Sequence, residues 1–211
     1  MIVSHAKQFI FFAVPKTGTH AVRELLRVHK GPDDWEQQIL FGKQCLPIPE
    51  IAKIQHGHIS VQQISPHLEA AIWQNYLKFA IVRNPFDRFI SICFFLNRKN
   101  PLFVETPLQW MKSAIKVPQF RERVLVKPQY LQLTDAQGSM AMDYVGRYEA
   151  LQDSMDEICK RLQIEPVLLK KRNVSEHKQY REYYDDELKS AVESFYKEDL
   201  KRFSYFFNGS F

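Results

Sequence analysis

Cysteine is scarce in this chain: three in 211 residues, Cys45, Cys93 and Cys159, widely spaced and never as C-x-x-C. That excludes a disulfide scaffold and a cysteine-rich zinc site, and it suits a reducing compartment. Seven glycines and 11 prolines are too few for a collagen-like or low-complexity protein. No run approaches the about 18 apolar residues that span a membrane. Met1 to Lys7 does not read as a secretory signal, and the nearby apolar run, Phe9 to Val14, is too short for an h-region. A cytoplasmic protein is expected, or else a lumenal domain that has lost its anchor. Also missing is G-x-x-x-x-G-K-[ST], so no Walker loop for a magnesium nucleotide is expected.

What is present points to an ordinary folded domain. Hydrophobic residues make up 45% of the chain, with 16 Phe and 9 Tyr, which excludes a disordered chain. The length suits one domain, residues 1–211, with enough chain to bury a core without staples. The formal net charge is +5. It fits a plain basic protein and equally a site for anions.

Strands and helices alternate along the chain. Phe9 to Val14 is a continuous apolar run, the pattern of a strand buried on both faces. It runs into Pro15-Lys16-Thr17-Gly18-Thr19, and a helix follows with Ala21, Val22, Leu25, Leu26 and Val28 on one side. Leu77 to Val82 reads as a second buried strand ending at Arg83-Asn84-Pro85. There Asn84 caps a helix, Pro85 fits its first turn and Asp87 favours its dipole. A third strand is expected within Ile51 to Ser60, a short helix over Pro66 to Tyr76, and irregular helix over Leu102 to Gln132. Met142 to Tyr148 reads as another strand. Ser154 and Glu157 have capping-box spacing, and one long last helix is expected over Glu182 to Phe203. The pattern predicts an α/β fold with a mostly parallel sheet.

Two strand–loop–helix units carry residues suited to anions. In the first, the amides of Thr17 to Thr19 point at a phosphate-like group, Lys16 supplies a full charge, and Thr17 and Thr19 add hydroxyls. The same segment also fits a plain strand–helix turn with a surface lysine. In the second, Arg83 leaves a buried strand and Ser91 lies roughly 9 Å along the following helix. Arginine there suits bidentate phosphate binding, and equally a structural strand end. His56-Gly57-His58 lies between the two units. Histidine has the pKa of a general base near neutrality, although both rings also fit a hydrogen-bonded loop. No third ligand stands at a metal-site spacing.

Together, Pro15 to Thr19 and Val82 to Ser91 resemble the sulfotransferases that use 3′-phosphoadenosine 5′-phosphosulfate (PAPS). The first segment resembles their 5′-phosphosulfate loop and the second their 3′-phosphate motif. Asp143 to Glu149, Asn173-Val174-Ser175 and Tyr196 to Tyr205 resemble the carbohydrate branch, often called family 2. The resemblance implies a P-loop-type three-layer fold, a mostly parallel central sheet flanked by helices. It implies PAPS as co-substrate without a metal, bound by Lys16, Thr17, Gly18, Thr19, His20, Arg83 and Ser91. It further implies catalytic roles for Lys16 and His58, with His56 as a helper at the acceptor. His20 stands where the family usually has a small hydroxyl residue; its ring either contacts a phosphate or points along the helix.

The expected reaction moves a sulfuryl group from PAPS to a hydroxyl, foremost of a saccharide, and releases adenosine 3′,5′-bisphosphate. Lys127, Arg147, Lys170, Lys171 and Arg172 are candidates for an anionic acceptor groove, or simply a solvated basic surface. One alternative is a small nucleotide kinase, disfavoured by the missing Walker sequence. The other is a non-enzymatic polyanion-binding module. For nucleic acid, no stacking-aromatic or recognition-helix motif is present.

Overall fold

The computed structural model describes residues 1–39, 42–166, 168–169 and 179–210. Five strands form the main sheet: β1 (Ile2–Ser4), β2 (Phe9–Phe12), β3 (Trp35–Glu36), β4 (Leu77–Val82) and β5 (Tyr144–Arg147). Among the described residues, five helices have nine residues or more: α1 (Thr19–Arg27), α2 (Pro85–Leu96), α3 (Pro107–Lys116), α4 (Leu151–Leu162) and α5 (Asp186–Phe195). The strand order is β3-β1-β2-β4-β5, with β2, β4 and β5 parallel and β1 antiparallel to both its neighbours. The α/β class and the mostly parallel sheet flanked by helices are therefore as the sequence predicts.

The chain packs as two compact units, Met1–Val82 with Gln129–Arg172, and Arg83–Pro128 with Asn173–Phe211. The first unit holds the sheet. Alternation along the strands sends Phe9, Phe11, Phe79 and Ile81 to one face, where Val22, Leu25 and Leu26 of α1 and Met155, Ile158 and Leu162 of α4 cover them. On the other face Phe12 meets Trp73 of the Ala70–Asn75 helix edge-on. Buried Lys78 tolerates that apolar strand because its ammonium meets Asp143 at 2.9 Å and two carbonyls.

The second unit is built on α2. Asn84 caps it by accepting the Phe86 amide at 3.0 Å, with Pro85 at the first position and Asp87 in the first turn. Its apolar residues Phe86, Phe89, Ile90 and Cys93 pack with Ile115 of α3 and Leu188 and Val192 of α5. Arg88 is fully buried and donates to the carbonyls of Leu125 and Lys127. The Asn84 amide nitrogen also donates to the carbonyls of Phe206 and Gly209, fastening the hairpin Tyr205–Phe206/Gly209–Ser210.

Four expectations are corrected. Residues 51–60 form no strand; Pro49 starts a short helix, Pro49–Ala52, and a turn follows through Gly57. A Cβ on Gly57 would lie 2.3 Å from the Gln37 carbonyl oxygen, so the turn packs against that backbone where no side chain fits. Ser154 is not a cap, because α4 begins at Leu151. Its buried hydroxyl instead accepts the Arg147 amide at 2.8 Å and donates to the Arg147 carbonyl. The last helix is not continuous: α5 starts after Asp185, which caps Leu188, and helix resumes only over Lys197–Arg202. Tyr196 occupies the break, fully buried, its hydroxyl on the Val126 carbonyl at 2.6 Å. Val28 lies beyond the end of α1 and is 76% exposed, so it does not belong to the buried stripe.

Candidate functional site

The loop between β2 and α1 is shaped by two left-handed residues, Lys16 (φ 65°) and Gly18 (φ 76°). Glycine adopts this conformation without cost; for lysine it costs roughly 1–2 kcal/mol. Such strain is characteristic of functional loops. Gly18 is the N-cap of α1 and, lacking a side chain, gives the first-turn amides no internal acceptor. The first turn also contains no acidic residue. These features make the start of α1 receptive to an anion. Gly18 is further constrained from behind, since a Cβ there would lie 3.1 Å from Leu151 and 3.2 Å from Tyr148.

The loop residues differ in what they offer. Thr17 is buried and its hydroxyl donates to the Val14 carbonyl at 2.9 Å, so that proton holds the loop together. Thr19 opens α1, half-buried. His20 is exposed, and its pKa is lowered by desolvation and by the Arg23 and Lys16 charges. It is therefore a neutral ring at pH 7 rather than a second cation.

His58 sits at the root of the same loop. Its Nδ1 lies 2.7 Å from the carbonyl oxygen of Ala13, two residues before Pro15. A carbonyl only accepts, so Nδ1 carries the proton and Nε2 keeps the lone pair. Burial lowers the His58 pKa to about 3 despite the Ala13 bond, so the ring is neutral at pH 7. His56 is also lowered by burial, and its Nδ1 accepts the His58 amide at 3.3 Å. The His56-Gly57-His58 turn thus aims its two rings unequally, with only His58 fixed on the loop strand.

Three side chains make contacts that no sequence pattern marks strongly. Gln132 donates from Nε2 to the carbonyls of Ala13 (3.2 Å) and Ile59 (3.0 Å). Arg23 of α1 bonds Glu36 at 2.6 Å and also donates to the Gly57 carbonyl at 3.4 Å. In the second unit, Arg83 Nε donates to Asp87 Oδ2 at 2.8 Å, an i,i+4 pair.

Arg83 and Ser91 both belong to the second unit and are 6% and 5% exposed. Arg83 directly follows Val82, the last residue of β4, and Ser91 lies on α2. Lys127 pairs with Glu122 at 2.8 Å, and Arg147 ends β5. Lys170, Lys171, Arg172 and Asn173 to Ser175 lie outside the described residues.

The model of sulfotransferase family 2, described as a sulfotransferase family, matches residues 1–206, through both units. The chain belongs to the sulfotransferase family. No curated protein and no solved structure matches it. Sulfotransferase family 2 is a family of PAPS-dependent transferases, so this sulfotransferase is an enzyme of sulfuryl transfer. Among the described residues of the sulfotransferase, no helix is long and apolar enough to cross a membrane.

Proposed function

We propose that the chain transfers the sulfuryl group of PAPS to a hydroxyl of a saccharide, leaving adenosine 3′,5′-bisphosphate. Lys16 and the amides of Thr17, Gly18 and Thr19 receive the 5′-phosphosulfate, with the Thr19 hydroxyl and His20 at its edge. Arg83 and Ser91 receive the 3′-phosphate. The acceptor oxygen bonds to sulfur as the bond from sulfur to the 5′-phosphate oxygen breaks. The hydroxyl proton passes to His58 Nε2, and the electron pair stays on the departing phosphate oxygen. There Lys16 and the loop amides stabilise the developing charge.

The observation that carries this reading is the bond from His58 Nδ1 to the Ala13 carbonyl, which leaves Nε2 unprotonated beside the strained loop, a proton acceptor whose basicity rises when the anionic donor binds. A saccharide acceptor is supported by the resemblance of Asp143 to Glu149 to the carbohydrate branch, and the net charge of +5 suits an anionic one. The three free thiols favour a cytoplasmic setting.

Incubation with sulfur-labelled PAPS and a panel of saccharides, lipids and phenols tests it. The expected product is a labelled saccharide, formed without added metal. Label on phenols alone would refute the acceptor class, and no PAPS-dependent product on any acceptor would refute the donor.

A further inference from the structure

His58 is held from both sides along the chain. The carbonyl before it, of Gly57, accepts from Arg23; the carbonyl after it, of Ile59, accepts from Gln132. Gln132 also donates to the Ala13 carbonyl, the same oxygen that takes the His58 Nδ1 proton. A carbonyl oxygen has two lone pairs and serves both donors. One amide nitrogen therefore ties the strand end beneath the phosphate-type loop to the backbone of the histidine beside it.

We infer that Gln132 is a positioning residue that fixes the orientation and tautomer of His58. The inference rests on His58 as the base in the reading above, but it concerns the ring itself. Glutamine suits the place because its one nitrogen carries two protons, one for each carbonyl. A glutamate would face both carbonyls with acceptors only. Its scaffold is local: the Tyr130–Leu133 helix packs beside Val61–Ile64, and Gln62 donates to the Asp135 carbonyl at 3.1 Å. Removing the Gln132 donor frees Ile59 from the Ala13 end of β2. The His58 ring then exchanges its Nδ1 bond for water, and the proton distributes over both nitrogens.

Nitrogen NMR of the full chain tests this, with the His58 signals assigned from His58→Gln. Wild type is expected to show a protonated Nδ1 and a bare Nε2. Gln132→Met keeps the stem and loses only the donor. A net hydrogen bond of about 1 kcal/mol corresponds to a roughly fivefold change in the tautomer ratio. Calorimetry with adenosine 3′,5′-bisphosphate is expected to give a Kd within about twofold of wild type. Should Gln132→Met not fold, Gln132→Glu is read in the same way. Unchanged His58 signals in a folded variant would overturn the inference, as would bisphosphate affinity falling by tenfold or more, which would mark Gln132 as a support of the loop. Full activity of His58→Ala would instead remove the base assignment while leaving the tautomer result intact.

Discussion

Arg83 and Asp87 form a 2.8 Å ion pair across the first turn of α2, both largely buried. The carboxylate holds the guanidinium along its Nε edge while drawing on its charge. Arginine is suited to this because it can bond a carboxylate and still present a planar fork. Lysine has one point charge and must choose.

The first prediction separates the two phosphates of the donor. Arg83→Ala should weaken adenosine 3′,5′-bisphosphate binding by roughly tenfold to a hundredfold, the scale of a charged hydrogen bond. Binding of adenosine 5′-phosphosulfate, which lacks the 3′-phosphate, should barely change. Arg83→Lys should recover little. Calorimetry with both ligands reads the difference, and equal losses for the two would make Arg83 structural.

Lys16 should show opposite effects on stability and turnover. Lys16→Gly removes both the charge and the left-handed strain at φ 65°. It should raise the thermal midpoint while lowering turnover by about two to three orders of magnitude. Lys16→Ala should lose the same turnover without the gain in stability. Normal turnover in either variant would take the loop lysine out of the reaction.

His58 should remain neutral far into acid. With a folded pKa of about 3, its ring signals in the free enzyme should not titrate between pH 7 and pH 5. An unfolded chain takes up that proton near pH 6.5, so this group removes stability as pH falls from 6.5 towards 3. A bound anion favours the imidazolium, so adenosine 3′,5′-bisphosphate should raise the pKa. A free-enzyme titration near 6.5 would contradict the burial.

Much of this architecture was legible because local chemistry and tertiary packing agree in it. The run from Leu77 to Val82 is a buried strand, and Asn84-Pro85 begins a helix, since apolar continuity and capping are both local signals. The misread elements depend on distant partners. Ser154 has the spacing of a cap, but its hydroxyl is drawn to the Arg147 backbone. Tyr196 fits an apolar helical stripe, but its hydroxyl reaches Val126 and the helix breaks there. At the site, Lys16 and His58 stand out by residue type and position. Gln132 does not, because a glutamine acting on carbonyls 119 and 73 residues away leaves no periodic mark.

Glu36 supplies a test of the acid limit of the fold. Burial alone would raise its pKa, but bonds from Arg27 and Arg23 outweigh that and hold it at about 2, against 4.5 for an ordinary glutamate. Its stabilisation is therefore complete above pH 4.5 and is lost as pH falls towards 2. Wild type should exceed Glu36→Gln in urea midpoint at pH 7, and the gap should narrow at pH 3. A gap independent of pH would show that the charge is not what matters.

Asn84 binds Phe86 with its oxygen and the terminal hairpin with its nitrogen, partners that lie on opposite sides of a long stretch of synthesis. Gly209 is 125 residues downstream. At about 5–20 residues per second, the ribosome needs roughly 6 to 25 s to deliver it. The cap can form as soon as α2 emerges, but the amide protons wait. During translation the nascent second unit therefore carries a capped helix beside an unclosed edge, with Phe86 still lacking the Phe207 ring that finally packs on it at 5.0 Å. Over that interval the Phe86 face of the helix stays open to other chains.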